Sequence, residues 1–161
     1  MENDENEIKI CEEPKISGLL ILPLIGLFIS PVYTIYFVIK DILPVFEPNI
    51  WNRLTSVDSE LYNIFWTPTI YFELVGNLLI ATFTILIIVK YLKKRKNTPR
   101  FMIILYTANF LFILFDYIIC NFLLELEQVN LNMDIIRSLL ICFIWIPYFI
   151  LSKKVKSTFI K

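Results

Sequence analysis

A chain that sets four long, almost uncharged runs between loops of very unequal basic content has few ways to fold. The runs lie at about 19–39, 65–89, 101–124 and 135–151. A helix needs about 20 apolar residues to cross a hydrocarbon layer about 30 Å thick. In that layer no water answers the backbone polar groups, and a helix satisfies them within one segment. The expected fold class is therefore all-α, an integral membrane bundle of four transmembrane helices. Composition agrees, since 57% of the 161 residues are hydrophobic and only three are glycine, which is too apolar for an ordinary soluble domain.

Lysine and arginine in short loops set the direction of threading. Lys90, Lys93, Lys94, Arg95, Lys96 and Arg100 follow the second run, and Lys153, Lys154, Lys156 and Lys161 follow the fourth. With Lys9 and Lys15 they put twelve basic residues on one side, against Lys40, Arg53 and Arg137 on the other. The expectation is N-in/C-in, with both termini cytoplasmic.

Three parts follow: a cytoplasmic tail over 1–17, a transmembrane domain over 18–152 and a basic cytoplasmic tail over 153–161. The first tail carries Glu2, Asp4, Glu5, Glu7, Glu12 and Glu13 and is expected to be disordered. It has the wrong sign for the n-region of a secretory signal, so the first run is expected to be retained as a span. In the long loop 41–63, the stretch 49–58 is expected to form a short helix lying on the membrane, with Trp51 and Leu54 dipping in.

The chain has no histidine, and Cys11, Cys120 and Cys142 share no metal-ligand spacing. An apolar role is expected for the two cysteines within spans. No nucleophile–base constellation, phosphate loop or nucleic-acid motif is present, so we expect no enzyme, no cofactor, no metal site and no nucleic-acid partner.

Glu73 and Asp116 stand out because a carboxylate near mid-span costs about 3 kcal/mol on insertion scales. At about 1.5 Å per residue, Glu73 lies about 26 Å above Lys90, Asp116 about 24 Å above Arg100 and Arg137 about 22 Å above Ser152. Helical spacing aligns Glu73, Asn77 and Thr84 on one span and Asn109, Asp116 and Cys120 on the next. On the fourth, Arg137, Trp145, Tyr148 and Ser152 share a stripe. The expectation is a buried network in which Arg137 bridges Glu73 and Asp116, helped by Asn77 and Asn109. Two acids against one base leave one negative charge for a proton or cation to neutralise. Such a network either sets helix register or forms a proton or cation site.

Gly26 and Ser30 form a small-xxx-small pair, expected to serve packing within the chain. Lys93, Lys94, Arg95 and Lys96 anchor the topology and are candidates for contact with anionic lipid.

Several segments together resemble a known family. They are Gly18-Leu-Leu-Ile-Leu-Pro-Leu-Ile-Gly26 with Ser30-Pro31, Phe72-Glu-Leu-Val-Gly-Asn77, Arg137-Ser-Leu139, and Ile144-Trp-Ile-Pro-Tyr-Phe149 with Ser152 and Val155-Lys-Ser-Thr-Phe159. The chain is similar over all but its acidic tail to the YdgK-like bacterial inner-membrane proteins, the DUF2569 family of unknown function. The family usually carries two glycines before the opening segment, where this chain has Ser17-Gly18. The resemblance implies a multi-pass protein of a bacterial inner membrane, with no activity assigned. It marks Glu73, Asn77, Arg137, Trp145, Pro147 and Tyr148 as defining positions, with Pro147 expected to bend the last span and seat Val155 to Phe159 against the other spans.

The functional expectation is a non-catalytic membrane subunit or scaffold that binds other membrane proteins. The alternative is a small oligomeric transporter or ion-coupled carrier using Glu73 and Asp116.

Overall fold

The computed structural model describes residues 16, 18–124 and 131–160. The acidic tail, Ile16 apart, lies outside the described residues. Four segments are long and apolar enough to span a membrane: Gly18–Phe46, Trp66–Leu92, Thr98–Leu123 and Met133–Leu151. They are built on α1 (Ile21–Phe37), α3 (Trp66–Leu92), α4 (Thr98–Ile118) and α5 (Leu131–Leu151). Among the described residues there is no strand.

Among the described residues, two short α-helices accompany these spans. In the loop after the first span, α2 (Pro48–Thr55) starts at a proline, whose fixed φ and missing N–H suit a first helical turn. Trp51 stacks on Phe46 with ring centroids 5.4 Å apart and meets Tyr71 edge-on at 6.2 Å. The short helix expected over 49–58 is thus present, slightly earlier, and held to α3 by aromatic contact. At the other end, Ser152 accepts a hydrogen bond from the Val155 N–H and caps α6 (Lys153–Thr158). That cap turns the chain back so that Val155 and Phe159 are buried. Pro147 lies within α5, which continues through it to Leu151.

The long helices pack in the spatial order α1, α3, α4, α5. One core cluster gathers the row at its basic end, joining Leu20 and Leu27 of the first span to Tyr91, Met102, Phe149 and Phe159. Tyr91 is its centre. It is fully buried, its hydroxyl donates to the Leu20 carbonyl at 2.7 Å, and Phe159 meets its ring edge-on at 5.0 Å. A buried tyrosine hydroxyl needs such a partner, because desolvation without one is costly. Two residues before Leu20, Gly18 has φ +64°, and the Lys154 ammonium lies 2.9 Å from where a Cβ would stand. A side chain there would meet both a strained backbone and the lysine.

The turn between α3 and α4 is equally specific. The Lys94 N–H donates to the Tyr91 carbonyl at 3.0 Å and the Arg95 N–H to the Lys90 carbonyl at 3.2 Å. These are the paired bonds of a Schellman ending, and they require a left-handed residue, here Lys94 at φ 51°.

Two thermal-unfolding measurements in detergent test this end of the bundle. Lys94→Gly should raise stability by roughly 1 kcal/mol, since glycine removes the left-handed strain. Tyr91→Phe should lower it by about 1–3 kcal/mol, because the Leu20 carbonyl stays buried without its donor.

Candidate functional site

The acidic residues meet at the opposite end of the bundle. Glu73 lies in the second turn of α3 and Asp116 near the end of α4. Immediately after α4, the chain widens into a π-helical segment, Ile119–Leu123. Such widened turns are rare and often mark functional positions. Cys120 sits in this segment, and its thiol donates weakly to Asp116 Oδ1 at 4.0 Å. Ligand atoms of Glu73, Asp116 and Cys120 all lie within 4.8 Å of one another. Both carboxylates are half-buried and Cys120 is buried.

Close approach of α3 and α4 makes this meeting possible. Phe72 and Phe112 stack with centroids 5.0 Å apart. A Cβ at Gly76 would overlap the Phe112 ring, so glycine is what lets that ring lie against α3 one turn from Glu73. At the rim, the Asn63 side chain donates to the Leu123 carbonyl at 2.9 Å and ties the loop before α3 to the π-helical segment. That bond answers a carbonyl left over where the helix ends.

The other expected members of the network are placed differently. Arg137 pairs with Asp134, one turn earlier on its own helix, at 3.6 Å, with the two side chains 75% and 54% exposed. Among the described residues, neither Glu73 nor Asp116 forms an ion pair. A neighbour on the same helix face costs less side-chain entropy than a reach across the bundle. The Asn77 side chain donates to the Glu73 backbone carbonyl at 2.8 Å and so spends its amide on its own helix. Asn109 is half-buried and, among the described residues, makes no hydrogen bond to either carboxylate. Trp145 and Tyr148 pack edge-on at 5.6 Å against the core at the basic end, and Pro147 is exposed. The last-span motif therefore serves packing away from the acids.

Cys120 is the residue that an apolar assignment overlooks. Its signal was the four-residue spacing from Asp116, which puts both on one helix face. Two carboxylate oxygens and a sulfur from adjacent helices can offer three ligands to one ion, or share a proton. Oxygen and sulfur donors together suit a borderline ion such as zinc better than a hard one.

Charge removal separates this geometry from a three-residue ion network. Glu73→Gln and Asp116→Asn should each raise the unfolding midpoint, by roughly 1–3 kcal/mol in stability, since each relieves the same repulsion in an apolar layer. The double variant should gain less than the sum, as contacting residues do. Arg137→Gln should change stability by less than about 0.5 kcal/mol, as exposed pairs do. Separately, Gly76→Ala should cost about 1–3 kcal/mol, and Phe112→Leu should recover part of that loss by making room for the new methyl.

Comparison with known proteins returns a family without an assigned activity. No curated protein and no solved structure matches the chain. The family described as "Protein of unknown function (DUF2569)" matches residues 13–160, nearly the whole sequence. The chain is a multi-pass membrane protein of helical-bundle form, and it belongs to the DUF2569 family.

Proposed function

We propose that this protein binds a proton or a metal cation between Glu73 and Asp116 and works as a small ion-coupled component of a bacterial cell membrane, with both termini cytoplasmic. The observation that carries this reading is the meeting of two carboxylates and a thiol within 4.8 Å inside membrane-spanning segments. Neither carboxylate has an ion-pair partner among the described residues. A carboxylate inside a membrane span is costly to keep charged, and a bound cation or proton offsets that cost. Orientation rests on the excess of lysine and arginine at one end of the bundle. Four spans leave little room for alternating access, so translocation would run at an interface between copies. The chemistry is binding and transfer of an ion, without bond-making catalysis.

A second reading, a non-catalytic subunit that holds another membrane protein, draws on Gly26. A Cβ there would meet nothing within 4 Å, and Gly26 and Ser30 are both exposed on α1. The small pair that would serve packing within the chain is therefore free to admit a partner helix.

Flux in proteoliposomes decides between the two. Wild-type protein should carry protons or zinc down an imposed gradient, and Glu73→Gln should reduce the flux to that of empty liposomes. Flux indifferent to that substitution removes the first reading, and recovery of a stoichiometric membrane partner then favours the second. Orientation is checked separately with an impermeant maleimide on spheroplasts, where Asp58→Cys should be labelled and Ser157→Cys protected.

A further inference from the structure

Two cavities open side by side at the basic end of the bundle. One, of about 690 Å³, lies at the α3–α4 turn and is lined by Lys93, Lys94 and Arg95. The other, of about 400 Å³, runs between that turn and α6. Lys96 and Asn97 line both. The second cavity is two-faced. Lys96, Arg100 and Lys156 bring three cations to it, and Phe149, Val155 and Phe159 supply an apolar floor. Among the described residues, no acidic side chain lines either cavity.

We propose that this groove binds the phosphate-bearing headgroup of an anionic phospholipid. The cations would hold the phosphate and the floor would take the start of the hydrocarbon. Charge favours an anion, since among the described residues none of the three cations forms an ion pair. The apolar floor favours a lipid over free phosphate, because an inorganic anion gains nothing from Phe149 and Phe159. Position favours it too, for the groove lies at the ends of spans, at the depth of headgroups.

The groove is also held in shape from both sides. Lys90 lies over the Phe101 ring with its ammonium 3.5 Å from the centroid. The Thr98 hydroxyl donates to the Lys90 carbonyl at 3.1 Å, and the Ser152 cap fixes the start of α6. Topology alone asks only that basic residues lie on one side of the membrane, with no particular arrangement. A shaped groove with an apolar floor goes beyond that need and fits recognition by basic pockets beside spans.

The test uses full-length protein in nanodiscs and charge-matched variants. Arg100→Gln/Lys156→Gln removes two cations of the groove, and Lys153→Gln/Lys154→Gln removes two from the same end of the bundle that do not line it. Thermal midpoints are followed as phosphatidylglycerol replaces phosphatidylcholine, and in detergent with added inorganic phosphate. Phosphatidylglycerol should raise the wild-type and control midpoints alike. The groove variant should need roughly 25-fold more of the lipid for the same shift, about fivefold per cation. Inorganic phosphate should produce no shift. Equal loss in both variants would reduce the effect to general surface charge, and no response of wild type to phosphatidylglycerol would also overturn the site. A phosphate response matching that of the lipid would assign the groove to a free anion and overturn the lipid as occupant. A destabilised groove variant is still informative, because lipid retained per protein, read by native mass spectrometry, separates lost binding from lost folding.

Discussion

Tyr91 is the residue on which the arrangement of spans depends. Lipid is as apolar as the helix surfaces, so exclusion from water cannot hold membrane helices together. Close packing and hydrogen bonds between helices do so. Here one hydroxyl reaches from the end of α3 to the Leu20 carbonyl, and the same ring receives Phe159 from beyond α6. First span, second span and returning tail are thereby joined at one point. Its neighbour in sequence, Lys90, carries the constraint into the next turn through Thr98 and Phe101.

The two ends of the bundle are consequently different in kind. At the basic end, large apolar and aromatic side chains from every span interlock. At the other, α3 and α4 meet through Gly76 and the stacked Phe72 and Phe112, and the carboxylates of Glu73 and Asp116 face each other there. An ion site gains from this division. Stability is supplied where packing is dense, and the acids sit where neutralising them costs the fold little. Functional groups kept against stability are a general feature of such sites.

Much of this was legible in the residues. Span positions follow from apolar run length, and α2 follows from Trp51 and Leu54 in an otherwise polar stretch of the loop 41–63. Cys120 was legible in part, since its spacing from Asp116 was visible while its closeness to Glu73 was not. The π-helical segment that carries it has no marker in Ile-Cys-Asn-Phe-Leu. Arg137 shows the limit most clearly. Its depth matched that of the acids, yet depth says nothing of azimuth, and Asp134 one turn away offered a partner that needed no reach across the bundle.

The sequence by itself determined that this chain crosses a membrane four times, because hydrocarbon thickness and the cost of bare backbone polar groups act on each segment separately. It also determined which end is basic. Tertiary structure alone decided which polar groups meet. Glu73 found Asp116 and Cys120, Arg137 stayed with Asp134, and the last-span motif went to the core around Tyr91. Those outcomes depend on the rotation of each helix about its axis, and that rotation is set by side-chain packing between segments distant in the chain.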